Sequence, residues 1–200
     1  MKINVINNDK ILINKTKAIA RNQYLELKKY FLKSKKIDYL QIVIFDNHRA
    51  FETEIERPLR SWETSLVKNE KILILNPKIE NNKHFNQQNY QKILKHELAH
   101  ILYNNMIPSG VPYWLNEGLS YNLSGQNFNK SLPLSKCSTC MNYFDTFDEK
   151  IYLYSPCFVN HLIKEVGLNK IMDFILSFSR EVNSKENFNK QFSKLFPKTN

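Results

Sequence analysis

Apolar residues either alternate with polar residues or recur at helical spacing along the first half of the chain. Around the polar residues 7–9 the alternation predicts a β-hairpin over residues 3–13. From Thr16 to about Ser34 the apolar positions recur with a helical period, which predicts a long amphipathic helix. Further strands are predicted over 38–46, 64–68 and Lys71–Leu75, and a short helix from Phe51 to about Arg57.

The second half of the chain is predicted to be helical. Residues 86–105 are apolar on one side of a helix, which Pro108 and Gly110 end. Further helices are predicted over 113–123, 151–166, 168–179 and 184–196, with a polar loop at 124–138. We therefore expect an α+β fold of two lobes. The N-terminal lobe, residues 1–108, holds a small mixed sheet and helix 86–105, and the C-terminal lobe, residues 109–200, is all-helical.

The formal net charge of +10 is concentrated at the two ends of the chain. Residues 1–36 contain ten Lys or Arg against Asp9 and Glu26 alone, and residues 184–200 contain four Lys against Glu186. We interpret these basic ends as solvated surface, with a polyanion-binding patch as the alternative. Nucleic acid is therefore not the partner that we expect.

The composition narrows the class of protein further. The first of four glycines is Gly110, which excludes a Gly-rich phosphate loop in the N-terminal half. Polar residues interrupt the N-terminus, and no apolar run has the length of a membrane span, so we expect a cytoplasmic protein without membrane contact. The three cysteines are an odd number, so they cannot form a complete disulfide framework.

The segment His96-Glu97-Leu98-Ala99-His100 is the first candidate for chemistry. Residues four apart stack on one face of a helix, so both imidazoles can reach the same metal ion while Glu97 lies beside them. Zinc binds imidazole nitrogen, and a catalytic zinc site needs three protein ligands and an open position for water. Two histidines are therefore not sufficient.

Glu117 supplies the third candidate ligand. Sixteen residues lie between it and His100, and a turn around Pro108, Gly110 and Pro112 separates the two helices, so the second helix can fold back across the first. Its apolar neighbours would bury that helix and hold the carboxylate near the two histidines. The sequence thus predicts a His96, His100 and Glu117 metal site.

These two segments together resemble the gluzincin metallopeptidases, whose third zinc ligand is a glutamate. The segment Trp114-Leu-Asn-Glu-Gly-Leu119 is very similar to one in the aminopeptidase N type, and the chain length is closer to the small peptidase-MA-like domains. Residues 152–162 with Gly167 are similar to a downstream helix of the family. In all, the resemblance covers about residues 38–180 and implies a zincin-like fold.

The resemblance also implies residue roles. His96, His100 and Glu117 would bind one catalytic zinc ion, and Glu97 would act as general base. Tyr152 would stabilise the oxyanion, with Tyr154 as the alternative. Ester hydrolysis or another acyl transfer would use the same groups.

The chain departs from the family pattern at two points. It has no segment like the one with which the aminopeptidases hold a free N-terminus, so an endopeptidase is favoured, and the strand Lys71–Leu75 could pair with an extended substrate. One turn after Glu117, where an acid could support a histidine, the residue is Tyr121, which leaves that support unassigned.

A second group of possible ligands lies downstream. Cys137, Cys140, Cys157 and His161 could form a structural zinc site, and the two cysteines at 137 and 140 could form a redox pair. We expect neither, because no second closely spaced cysteine pair completes the usual zinc pattern.

The sequence therefore predicts a zinc-dependent peptidase that acts on a peptide or protein substrate. The alternative is a catalytically silent zincin-fold binding or regulatory module, whose basic ends contact a polyanion.

Overall fold

The computed structural model describes residues 1–32, 36–79, 87–107, 112–146, 148–178 and 185–196 of the chain. In it, helices surround one mixed sheet. The four strands are β1 (Lys2–Ile6), β2 (Tyr39–Phe45), β3 (Ser65–Lys68) and β4 (Lys71–Leu75). The helices are α1 (Lys10–Lys28), α2 (His48–Ile55), α3 (Gln87–Met106), α4 (Tyr113–Ser124), α5 (Leu134–Cys137), α6 (Lys150–Val166), α7 (Leu168–Phe178) and α8 (Lys185–Leu195). The α+β class with a small mixed sheet is thereby confirmed.

The strands are ordered β1-β2-β4-β3 across the sheet. The first three are parallel, and β3 pairs with β4 in the antiparallel direction through a tight turn at Asn69 and Glu70. Both turn residues have positive φ, the geometry of a two-residue hairpin. Strand β4 is therefore internal, so the expectation that Lys71–Leu75 offers an edge is wrong. Among the described strands, β1 and β3 form the edges.

The predicted hairpin over residues 3–13 is also wrong. Asp9 is the N-cap of α1, and its carboxylate accepts hydrogen bonds from the backbone N–H groups of Ile11 and Leu12. An aspartate in this place satisfies the donors that a helix start leaves open, so Ile11 begins a helix rather than a second strand. Helix α1 thus starts earlier than predicted and ends at Lys28, and the predicted end near Ser34 lies outside the described residues.

Helix α3 is the central helix and packs against α1, α4, β3 and β4. Its bounds agree with the prediction to within about two residues, as do those of β2, β3, β4 and α4. The predicted turn between the two lobes falls largely on residues 108–111, which lie outside the described residues. Within the described part of the chain, no helix is both long and apolar enough to cross a membrane.

Helices α4 and α6 pack extensively against each other. A Cβ atom at Gly118 would lie 2.3 Å from Cγ2 of Val159 and 2.6 Å from the carbonyl oxygen of Ser155, so only glycine permits this approach. The buried ring of Trp114 packs against Phe158, at 5.3 Å between ring centroids, and so fixes α4 on α6. Part of the loop predicted at 124–138 is helical, since α5 and a 3-10 turn (Ser138–Asn142) follow Pro133.

Candidate metal centre

Helix α3 places two imidazoles together on the face that looks toward α4. The Nε2 atoms of His96 and His100 lie 2.9 Å apart, and the two rings meet edge to face with 4.5 Å between centroids. This pairing follows directly from the spacing of four residues in a helix. The two Nε2 atoms thereby lie side by side between α3 and α4.

Glu117 on α4 completes the group from the opposite side. Its Oε2 lies 3.4 Å from Nε2 of His96, and its Oε1 lies 3.5 Å from Nε2 of His100. One ligand atom from each of the three residues falls within 4.8 Å of the others, and no other group of three potential ligands in the described ranges does so. The ligand atoms around a tetrahedral zinc ion lie about 3.3 Å from one another. The distances between the His96, His100 and Glu117 ligand atoms are close to that value.

The buried atoms of the centre also fit a cation. Oε2 of Glu117 is buried and accepts no hydrogen bond from the described residues, although Nε2 of His96 faces it. An unsatisfied buried carboxylate oxygen is costly, and a cation between it and the imidazoles would remove that cost. The three side chains are thus suited to a divalent ion that prefers nitrogen and oxygen ligands.

The charges at the centre oppose the effect of burial. Burial is the largest single effect on His100 and lowers its pKa, but the charge and hydrogen bond of Glu117, the charge of Glu97 and the hydrogen bond to Asn116 together raise the pKa to about 9. Burial alone would raise the pKa of Glu117, while the charge and hydrogen bond of His100 lower it to about 2. Without a metal, the two residues therefore form a buried ion pair near neutral pH.

The support for His100 comes from α4, through two residues that the sequence analysis missed. Its Nδ1 lies 2.8 Å from Oδ1 of Asn116 and 3.2 Å from Oγ of Ser120, while the Asn116 amide donates to Asn104. This orientation of the amide favours a hydrogen on Nδ1 of His100 and leaves Nε2 as the ligand atom. The sequence does contain a signal for this support, because Asn116 and Ser120 are polar residues near Glu117 and share one face of α4.

Glu97 is held by the edge strand. Its Oε1 accepts a hydrogen bond of 2.7 Å from the hydroxyl of Ser65 on β3, and the side chain is buried. No motif in the sequence points to Ser65, because the contact joins residues 32 positions apart and depends on how α3 lies against the sheet. The predicted general base thus lies beside the predicted histidine ligands, with its carboxylate oriented by a neighbouring hydroxyl.

Tyr152 lies in the same cleft, as expected of a residue that contacts substrate. Its ring packs on Trp62 with 4.6 Å between centroids. Burial, followed by the negative charges of Glu117 and Glu97, raises the pKa of Tyr152 well above its usual value, so its hydroxyl stays protonated. Tyr154 packs against the hydrophobic core instead. Tyr121, to which the sequence assigns no role, also lines the cleft and packs edge-on against His96.

The metal-ligand group opens into a cleft of about 540 Å³. One wall is α3, another is β3 with the residues before it, and α4 and α6 close the far side. Both predicted carboxylates, both imidazoles and Tyr152 line this space. All five residues predicted for the site therefore share one cavity.

The cysteines form a separate buried cluster. Cys137 and Cys157 each donate to the carbonyl oxygen of Leu132 at 3.6 Å, and the three thiols, including Cys140, are free and buried. Burial raises the pKa of Cys137 to about 12, which opposes thiolate formation. His161 has a buried Nε2 without a hydrogen-bond partner among the described residues.

Comparison of the chain with protein-family models, with curated proteins and with solved structures gives no match.

Proposed function

We propose that this protein is a zinc-dependent peptidase of the gluzincin kind, with a zincin-like arrangement of α3 and the sheet. One observation carries the proposal. His96 and His100 from one helix and Glu117 from another bring their ligand atoms within 4.8 Å of one another, inside a cleft that also contains Glu97. The sequence motifs and the chemistry of this donor set agree with zinc.

In this proposal Nε2 of His96, Nε2 of His100 and the carboxylate of Glu117 hold the ion. When bound, zinc supplies a water with a pKa lowered to about 7 and polarises the carbonyl of the scissile bond. The Asn116 amide keeps His100 in the tautomer that presents Nε2. This contact with Asn116 also restricts the rotation of the His100 imidazole and so favours metal binding.

Glu97 moves the proton. Its carboxylate accepts a proton from the attacking water and then delivers that proton to the leaving amine. The hydrogen bond from Ser65 restrains the Glu97 carboxylate at Oε1. Glu97 also directly follows His96 on α3, so it stays close to that ligand. Because the Glu97 side chain is buried, this transfer occurs where the carboxylate is largely shielded from solvent.

Tyr152 donates to the oxygen that becomes negative during attack. Since its hydroxyl remains protonated, it can act as a hydrogen-bond donor throughout the pH range of a peptidase. Loss of one such donor typically removes about 3–4 kcal/mol of transition-state stabilisation. The tilted packing of the Tyr152 ring against Trp62 limits the rotamers of the phenol and so keeps the donor in the cleft.

Strand β3 is the edge that can receive an extended peptide. It borders the cleft at Ser65, Leu66 and Val67, and its outer backbone groups face away from β4. A peptide paired with β3 would pass close to Glu97, because Ser65 contacts that residue directly. This arrangement favours an endopeptidase, for which the chain can extend beyond the scissile bond on both sides.

The experiment combines metal analysis with hydrolysis of a mixed peptide library. We expect one zinc per chain in the wild type, loss of that equivalent in Glu117→Ala, and full zinc but no hydrolysis in Glu97→Gln. Glu186→Gln is the matched control, because this exposed glutamate on α8 is remote in sequence from the cleft residues.

Unchanged turnover of Glu97→Gln would refute the assigned base. Zinc binding without hydrolysis of any library peptide, together with salt-dependent nucleic-acid binding, would support the binding or regulatory module instead.

A further inference from the structure

Lys92 brings a positive charge into the cleft. It lies on α3 one turn before His96, on the same helix face, and is partly buried among the residues that line the cleft. It is the one Lys or Arg among these lining residues. The next lysine on the helix, Lys95, instead forms an ion pair of 2.6 Å with Glu26 on α1.

The acidic residues of the cleft are already engaged by other groups. Arg57 holds Glu63 through two hydrogen bonds of 2.7 and 2.6 Å, and Ser65 donates to Glu97. Glu117 faces the two histidines. Among the described residues, no carboxylate forms an ion pair with Lys92, so its ammonium group is available to a ligand.

The position of Lys92 along the cleft can be read from β3 and α3. Ser65 contacts Glu97, and farther along both elements Val67 and Ile101 line a second cavity. Strand and helix therefore run in the same direction, which places Lys92 at the opposite end of the cleft from Val67. Trp62 precedes β3 in the chain and packs against Tyr152. From the common direction of β3 and α3 we infer that this aromatic pair lies toward the Lys92 end of the cleft.

A half-buried lysine in a cleft that also contains the aromatic side chains of Trp62 and Tyr152 suits a carboxylate attached to an apolar group. An ion pair with hydrogen bonding to a carboxylate is strong when the site is partly shielded from water, whereas a neutral amide in the same place gains less. A peptide can present such a carboxylate from an Asp or Glu side chain or from its C-terminal residue.

We propose that Lys92 is a specificity-determining residue that binds a carboxylate of the substrate, at a position close to the scissile bond. The inference rests on the proposed peptidase function and refines the class of its substrate. It assigns to the enzyme a preference for peptides with an acidic side chain or a free C-terminus on the Lys92 side of the metal centre.

Four peptide pools of mixed sequence test this assignment on the zinc-loaded full chain. Two pools contain Asp and Glu, and in the other two these residues are replaced by Asn and Gln. Within each pair, one pool has a free C-terminus and the other has an amidated C-terminus. We expect the wild type to cleave one carboxylate-containing pool about tenfold more efficiently than the neutral pool, the size typical of one charged hydrogen bond. Which pool is preferred distinguishes a side-chain carboxylate from the chain end.

Lys92→Gln should reduce this tenfold preference to about onefold through a higher KM for the preferred carboxylate pool, and Lys92→Glu should reverse the preference. Lys15→Gln is the matched control, because it removes the same charge from the exposed side of α1. A preference that persists in Lys92→Gln, or the absence of any preference in the wild type, would overturn the assignment.

Binding separates this inference from the proposed activity. Retention of the four pools on immobilised, zinc-loaded Glu97→Gln protein is measured with and without Lys92→Gln. If the wild type hydrolyses no pool, the proposed function fails, yet selective retention of a carboxylate pool that depends on Lys92 still supports the site. Equal retention of all four pools contradicts it.

Discussion

The hydroxyl of Ser65 donates a hydrogen bond of 2.7 Å to Oε1 of Glu97, and this bond joins the edge strand β3 to the central helix α3. Glu97 is buried, so a fixed donor decides which way its carboxylate points. The same strand borders the cleft and is the edge proposed to receive substrate. In the proposed peptidase, substrate pairing and the orientation of the base would therefore both depend on β3.

Replacement of Ser65 by alanine should lower kcat about tenfold while zinc content stays at one per chain. The expected loss is about 1.5 kcal/mol, the lower range for a hydrogen bond to a charged group, because the carboxylate would no longer be held in place. Steady-state kinetics on a library-derived peptide measure the effect. Ser131→Ala, at an exposed serine in the loop before α5, is the control. An unchanged kcat in Ser65→Ala would show that the hydroxyl does not position the base.

Gly118→Ala should destabilise the protein and weaken zinc binding together. The new methyl group would overlap Val159 and a backbone carbonyl of α6, and backbone atoms cannot easily move away. Overpacking of this kind costs about 1–3 kcal/mol, and displacement of α4 would also move the adjacent Glu117. Thermal unfolding and a zinc competition titration measure the two effects.

Gly125→Asn is the control for that substitution. A Cβ at Gly125 meets no atom within 4 Å, and asparagine tolerates its φ of 69°. Normal stability and normal zinc affinity in Gly118→Ala would mean that α4 can shift away from α6 without moving Glu117.

The metal-free protein should lose stability as the pH rises through about 9. Its pKa of about 9 for His100 lies above the ordinary 6.5, so the contribution of the charged imidazole is complete below about 6.5 and disappears through about 9. Glu117, lowered from 4.5 to about 2, contributes above about 4.5 and loses its effect as the pH falls through 2. The ion pair therefore contributes fully between about 4.5 and 6.5.

Chemical denaturation of the metal-free protein between pH 5.5 and about 9.5 checks this sign. Glu117→Gln should remove most of the decline, because it removes the charge that raises the pKa of His100. A decline of the same size in that variant would assign the pH dependence to other groups.

The sequence predicted the parts of the site that local geometry determines. A spacing of four residues is enough to place His96 and His100 on one helix face, and the apolar neighbours of Glu117 were enough to predict a buried helix crossing the first. The approach of Glu117 to both histidines depends also on Gly118, whose missing side chain lets α4 lie close to α6.

What the sequence did not reveal depends on contacts distant along the chain. The residues of a strand do not determine its place in the sheet. The sequence of β4 is therefore compatible with an edge strand, although β3 pairs with its outer side. The role of Asp9 was missed because a polar break between two apolar runs is compatible with both a turn and a helix cap. Ser65 and Asn116 have no distinctive motif, and only their contacts with Glu97 and His100 identify them.

Asn116→Ala should therefore weaken zinc binding about 10–100-fold, the usual effect of removing a group that orients a histidine ligand. Without the amide, Nδ1 of His100 loses its 2.8 Å partner and the imidazole can adopt the tautomer that directs a hydrogen toward the ion. Competition with a chromophoric chelator measures the affinity, and Asn142→Ala, at an exposed asparagine after α5, is the control. Asn116→Asp keeps an acceptor at Oδ1 and should retain most of the affinity. If alanine and aspartate at this position weaken binding equally, the amide acts through the packing of α4 and not through the tautomer of His100.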